Sequence, residues 1–267
     1  MLGWSINLFR IFGIQLALHA SFLLLLAYFG YRGWEEAGWL GAGWRVLLII
    51  LFFVCVVLHE LGHSLTAMRY GVRVPRILLM PIGGMAEFDR LPRQPSAELL
   101  ITAAGPAVNF VIAAVLTPIV WRTFWSEQGF AAYSVMDLLI KLTLANLVMG
   151  IFNLLPVFPM DGGRILRALL AIKLSYLRAT YWASLTGKIL SATLAGIAAF
   201  YYENYLLAVL FGFIYFAGNA EYRQLVIREQ QAAYWAEWMR RSAAEEAKPV
   251  TPIDEPPLPP QIFHGRN

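Results

Sequence analysis

The sequence predicts an all-α polytopic membrane protein of about six transmembrane helices, with short strand segments at the N-terminus and in a re-entrant loop after the second helix. Three observations carry this reading. Of 267 residues, 59% are hydrophobic and 14% charged, and the mean hydropathy is +0.58. Apolar runs of about 17–25 residues, long enough to cross a bilayer, recur too often for a soluble core. Between them lie stretches whose apolar residues alternate, the period of a strand rather than a helix.

From Ser5 to Leu18 the pattern is close to alternating, with Asn7, Arg10 and Gln15 set among Ile6, Leu8, Ile11, Ile14, Leu16 and Leu18. This reads as a short strand or hairpin turned near Gly13 and leading into a first span from about Leu16 to Tyr31. Trp34, Trp39 and Trp44, mixed with Arg32, Glu35 and Glu36, suit an aromatic belt at the membrane interface. A second span runs from about Arg45 to Met68.

Val72 to Phe88 is strand-prone and interrupted by Pro75, Pro81, Gly83 and Gly84. Non-helical backbone at membrane depth needs cover from protein or a water cavity. A re-entrant strand pair beside the second span is therefore expected, with a plain loop packed on the span ends as the alternative. The remaining spans are about Ala97 to Trp121, Leu138 to Leu155, Thr180 to Tyr201 and Asn204 to Glu221.

The domain organisation that follows is a membrane domain over residues 1–222, a charged, helix-prone amphipathic cytoplasmic segment over 223–248 and a disordered tail over 249–267. The tail contains six prolines between Pro249 and Pro260 and cannot fold alone. Nothing marks the first apolar segment as a removable signal peptide. Cys55 is the single cysteine, which excludes an intramolecular disulfide and suits a small buried hydrophobe. The net charge of +4 would suggest nucleic acid in a soluble protein. Here it fits basic cytoplasmic loops instead, since Arg69, Arg73, Arg76, Arg90 and Arg93 follow span two and Arg164, Arg167, Lys173 and Arg178 follow span four. Both termini are then expected in the cytoplasm.

The second span carries His59-Glu60-Leu61-Gly62-His63. Two histidines four apart project from one helix face and can grip one metal ion, while Glu60 can reach a water on that ion without ligating it. Buried core histidines bonded to backbone carbonyls are the structural alternative. A carboxylate at bilayer depth costs at least about 2.5–3.5 kcal/mol, and the run offers no Lys or Arg between Val46 and Met68 to offset it. A cation is therefore expected there.

Asp161 is the best third ligand, because Pro156, Pro159, Gly162 and Gly163 break the helix and can turn a carboxylate inward. It also suits an N-cap for a helix from Gly163 to Ile172, and the two roles are compatible. Asn153 could donate its amide to an oxyanion, hold a substrate backbone or brace the helix break. Asn109 offers the same chemistry from a weaker position.

Taken together, His59-Glu60-Leu61-Gly62-His63, Gly105-Pro106-Ala107-Val108-Asn109 and Asn153-Leu154-Leu155-Pro156-Val157-Phe158-Pro159-Met160-Asp161-Gly162 resemble the site-2 protease family of intramembrane zinc metalloproteases. The resemblance covers roughly Leu8 to Tyr222. It is strongest to the small six-span bacterial type related to the sporulation factor that processes a pro-sigma factor. It implies Zn2+ held by His59, His63 and Asp161, with Glu60 as catalytic base and Asn153 engaging substrate. It further implies a membrane-embedded protein substrate cut in or near a transmembrane segment, in a multi-pass bacterial cell-membrane protein with its active site toward the cytoplasm.

Met160 stands where that family usually carries Leu, a mild departure. No room is expected for a PDZ-like insertion or a nucleotide-sensing domain. The partners expected are the lipid bilayer and the substrate, with no nucleic acid, and a homo-oligomer or an inhibitory membrane partner stays open. Two other classes compete. An ion or proton transporter would use the same side chains as a relay and would need no zinc. A catalytically silent metal-binding scaffold would keep zinc and cut nothing.

Overall fold

The computed structural model describes residues 4–89, 92–124 and 132–246. The proline-rich tail expected over 249–267 lies outside the described residues. The element order is β1 (Ser5–Ile11), β2 (Ile14–His19), α1 (Ser21–Arg69), β3 (Arg76–Met80), β4 (Gly83–Glu87), α2 (Pro95–Phe124), α3 (Val135–Asn153), α4 (Asp161–Ala171), α5 (Tyr176–Phe200) and α6 (Tyr205–Glu246).

Among the described residues, five helices are long and apolar enough to cross a membrane: α1, α2, α3, α5 and α6. They supply six crossings because α1 is a hairpin. Its 49 residues would extend about 74 Å if straight, at 1.5 Å per residue. Instead the backbone leaves helical geometry at Ala37 (φ −148°) and Gly38 (φ 58°), and the Phe22 and Phe53 rings meet edge to face at 4.6 Å. The positive φ at Gly38 is open to a residue without Cβ at little cost. Just beside the bend the arms touch through backbone. A Cβ on Gly33 would overlap the Gly41 carbonyl and lie 2.6 Å from its carbon.

The two strand segments read from the sequence are present, and they join into one four-stranded sheet of order β1-β2-β3-β4. β1 and β2 pair antiparallel around Phe12 and Gly13, both at positive φ. β3 and β4 form the expected second hairpin, and β2 pairs with β3 in parallel, Leu16 opposite Ile77 and Leu18 opposite Leu79. The sheet lies on the second arm of α1, where Ile14, Leu16, Ile77 and Leu79 share a core with Phe53, Val56, Val57 and Leu61. The strand pair thus covers the histidine-bearing helix, as the re-entrant reading expects, and the plain-loop alternative is set aside. Cys55 is buried and unbridged, packed in a second core with Leu138 and Leu142 of α3.

Several boundaries differ from the sequence reading. The first span was expected from Leu16, but Leu16 to His19 belong to β2 and the helix starts at Ser21. An apolar run followed directly by a helix hides the change of period, and the partners on both sides of β2 fix the extended form. The sixth span was expected to end at Glu221, yet α6 continues without a break to Glu246. No Gly or Pro occurs between Asn219 and Glu246 to stop it.

The Gly33–Gly41 contact generates a test. Gly41→Ala places a methyl group against the Gly33 backbone and is expected to cost about 1–3 kcal/mol of stability as an overpacking change, read as a lowered melting temperature in detergent. Gly43→Ala, where a Cβ meets nothing within 4 Å, is expected to melt with the wild type.

Candidate metal centre

His59 and His63 sit one turn apart on the second arm of α1, buried at 4% and 8% exposure. Asp161 is the first residue of α4, following Met160, whose extended backbone occupies the cap position. The N-cap alternative for Asp161 therefore shifts by one residue, and the carboxylate lies in the first turn, where the helix dipole favours negative charge. The break between α3 and α4 turns it inward. Gly162 and Gly163 press on the backbone of Leu154, Leu155, Val157 and Phe158 so closely that a Cβ at either would lie inside it.

Three atoms converge here. His59 Nε2 and His63 Nε2 are 3.1 Å apart, and Asp161 Oδ2 lies 3.4 Å from the first and 3.2 Å from the second. Among the described residues these three side chains form the one group of His, Cys, Asp and Glu able to share an ion.

Their protonation follows from the other ring nitrogens. His59 Nδ1 lies 2.5 Å from Asn109 Oδ1, and His63 Nδ1 lies 2.8 Å from the Ile101 carbonyl oxygen. Both partners only accept, so each Nδ1 carries the proton and donates. In the neutral imidazoles each Nε2 is then a bare lone pair, pointing at the other and at a carboxylate oxygen with no hydrogen-bond donor of its own. Three acceptors facing one another in a buried place repel unless a cation lies among them. Ligand bonds of about 2.0–2.2 Å in a tetrahedral arrangement put neighbouring donor atoms about 3.3–3.6 Å apart, close to the observed separations of 3.1, 3.4 and 3.2 Å. The donor set, two imidazole nitrogens and one carboxylate oxygen, is that of a catalytic zinc with an open fourth position.

Asn109, to which the sequence reading gave the chemistry of Asn153 from a weaker position, sits behind a histidine. It is fully buried, with 0% exposure, behind His59. Its Nδ2 donates to Asn146 Oδ1 at 2.9 Å, and Asn146 Nδ2 donates in turn to the Leu142 carbonyl at 2.8 Å. With each amide nitrogen donating onward, Asn109 Oδ1 is left to accept from His59. Asn146 was missed, although a signal existed: an amide within the apolar run of a span marks a functional position by default.

Glu60 sits under β4. A Cβ on Gly84 would come within 2.6 Å of Glu60 Cγ. Gly105 of α2 does the same for the histidines, since a Cβ there would overlap the His63 ring and lie 2.8 Å from His59 Nε2. Both glycines let backbone pass where a side chain would displace the site. Asn153, the last residue of α3, is half-buried and its Nδ2 donates to the Met149 carbonyl at 3.1 Å. It does not bond to the three converging atoms.

Comparison with known proteins points to one family. The model of peptidase family M50 matches residues 47–194, a stretch that includes both histidines and Asp161. The zinc metalloprotease MJ0392 of Methanocaldococcus jannaschii is 44% identical over 225 residues, covering 83% of this chain and 62% of that protein. The stage IV sporulation protein FB of Bacillus subtilis is 30% identical over 140 residues, 51% of this chain and 43% of its own. The chain thus spans less than two thirds of the length of these relatives. Among solved structures, the site-2 protease from M. jannaschii matches with a TM-score of 0.57 and 40% identity, over 82% of this chain and 95% of that one. On its sequence, its fold and the placement of its histidines, the chain belongs to peptidase family M50.

Proposed function

We propose that this protein is an intramembrane zinc metalloprotease, hydrolysing peptide bonds in or near transmembrane segments of membrane-anchored proteins. The observation that carries the reading is the triangle of bare lone pairs from His59, His63 and Asp161, set on a membrane helix with Glu60 beside it. Zinc held there supplies Lewis acidity, which lets an ordinary water attack a peptide carbonyl near neutral pH. Glu60 takes the proton of that water as general base and passes it to the leaving amine. Asn153, with an amide hydrogen to spare, donates to the oxyanion or to the substrate backbone. Asn109 and Asn146 hold His59 in the tautomer that presents Nε2 as the ligand atom.

A helical substrate hides its amides in internal hydrogen bonds and must unwind to be cut. β4 is one of the two edge strands of the sheet and comes against Glu60 at Gly84. An unwound segment adds to that edge by strand pairing. The arginines near the His63 and Asp161 ends of their helices support a site toward the cytoplasm of a bacterial cell, with both termini on the same side. Residues 1–222 are the protease domain on this reading, and 223–248, helical as far as Glu246, an extension of it. A second copy or an inhibitory membrane protein remains the partner to seek.

The central test compares the purified wild type with Glu60→Gln on single-span substrates. Equal zinc content is expected, with turnover lowered by about 10²–10⁴-fold, the contribution of a placed general base. Comparable cutting by the variant would remove Glu60 from its role. Metal-independent proton movement without product peptides would favour a transporter. Asn146→Leu is expected to weaken zinc binding by about 10–100-fold, as loss of a ligand-orienting partner does, measured by competition with a chelator. Met85→Pro in β4 is expected to abolish cleavage at full zinc occupancy. Unchanged turnover would count against strand addition.

A further inference from the structure

A second buried ionic group lies behind the turn that carries Asp161, and none of the roles above uses it. Arg167 of α4 is 4% exposed. Its Nε donates to Glu98 Oε1 of α2 at 2.8 Å, a terminal nitrogen pairs with the same carboxylate, and Nη1 reaches Glu221 Oε1 of α6 at 3.3 Å. The guanidinium lies over the Phe158 ring at 5.2 Å and the Tyr176 ring at 5.0 Å. One side chain thus binds three helices, α2, α5 and α6, from a fourth.

Phe158 is the link to the metal centre. It is 1% exposed, stands three residues before Asp161 and is held on every side. A Cβ on Gly218 of α6 would lie 3.0 Å from the Phe158 carbonyl oxygen, and a Cβ on Gly187 of α5 would lie 3.2 Å from Val157 Cα. Arg167 closes this cage over the aromatic ring. Beyond Glu221, α6 is tied once more, by Glu229 to Arg93 at 2.7 Å, and Arg93 also lies over the Tyr176 ring at 5.6 Å. A buried ionic group adds little stability over a well-packed apolar one, whereas the fork of a guanidinium fixes the geometry of what it joins.

We propose that Arg167 is a positioning residue for Asp161: by clasping Glu98, Glu221 and the Phe158 ring it fixes where the Asp161 carboxylate meets the two imidazoles. Through Glu221 it couples that placement to the part of α6 that continues to Glu246. The proposal rests on the reading of His59, His63 and Asp161 as a metal site.

The test loads full-length protein with Co2+ and records its visible ligand-field absorption, which reports coordination geometry, and its affinity against a chelator. Three variants are compared: Arg167→Lys, Glu221→Gln, and the double Glu98→Gln with Arg167→Met, which removes both fully buried charges together and leaves only the part-exposed Glu221 without its ion pair. Each is expected to keep a wild-type elution profile, show an altered Co2+ spectrum and bind the ion about 10–100-fold more weakly. Lysine restores the charge but not the fork, so its failure to rescue separates positioning from charge balance. Glu221 has 32% side-chain exposure, so Glu221→Gln carries the test if Arg167→Lys does not fold. Glu237→Gln, in an exposed pair with Arg241 on the same helix, is the control expected to match the wild type. Wild-type spectra and affinity in both folded Glu221→Gln and the double variant would overturn the proposal alone. A wild type that binds no Co2+ would overturn the metal site, and this proposal with it.

Discussion

Two imidazoles whose Nδ1 protons are already given to Asn109 and to the Ile101 carbonyl have nothing left to offer each other. Their Nε2 lone pairs nevertheless face one another at 3.1 Å and share a carboxylate oxygen within 3.4 Å. Buried away from water, such a group is repulsive in every pair, and repulsion is strengthened by the low dielectric of the surroundings. A divalent cation at the centre adds an attraction to each of the three atoms, at shorter range than their mutual repulsion, and so outweighs it. The remaining architecture can be understood as what is needed to bring these three atoms together from residues about a hundred positions apart and to keep them from rotating away.

Two devices achieve this. The first is close backbone approach. Gly105 lets α2 pass against the histidine rings, and Gly162 with Gly163 lets the turn before α4 fold onto its own carbonyls. Glycine at a helix interior costs roughly 0.5–1 kcal/mol relative to alanine, a small term beside the steric overlap that a methyl group would create here. The second is a chain of amides. His59, Asn109, Asn146 and the Leu142 carbonyl form a one-directional series of hydrogen bonds crossing from α1 through α2 to α3. Every buried polar atom in that series has its partner, so the network orients the ring without leaving an orphaned group at membrane depth.

Much of this was legible in the sequence, and for physical reasons. The spacing of His59 and His63 is a property of the helix, and the helix was secured by an apolar run too long for anything else. The two hairpins were legible because period-two alternation and turn residues are local signals. Their union into one sheet was not, since the parallel pairing of β2 with β3 spans the whole of α1 and depends on that helix folding back at Ala37 and Gly38. Nor could spacing tell that Asn109 lies behind His59: an amide has the same chemistry toward substrate as toward an imidazole, and only packing of α2 on α1 decides which it meets. The helical character of the segment after Glu221 was legible, but its continuity with the sixth span was not, because a change from apolar to charged residues ends an apolar run without ending a helix.

The sheet answers a difficulty peculiar to this setting. A helix that carries His59, Glu60 and His63 needs cover that packs on its apolar residues and also brings backbone to the site, and a strand pair provides both. Ile77 and Leu79 of β3 join the apolar core on α1, while at β4 the backbone of Gly84 closes on the Glu60 side chain. Placing the outer strand there has a mechanical consequence for the proposed reaction. Strand pairing fixes register in steps of two residues, so a segment aligned on β4 would have its carbonyls set relative to Glu60 by the same backbone that holds Glu60 in place. Unwinding the substrate, aligning its peptide bond and placing the base would then be one event, which is why selection in such a site can rest on how readily a membrane helix unwinds as well as on its side chains.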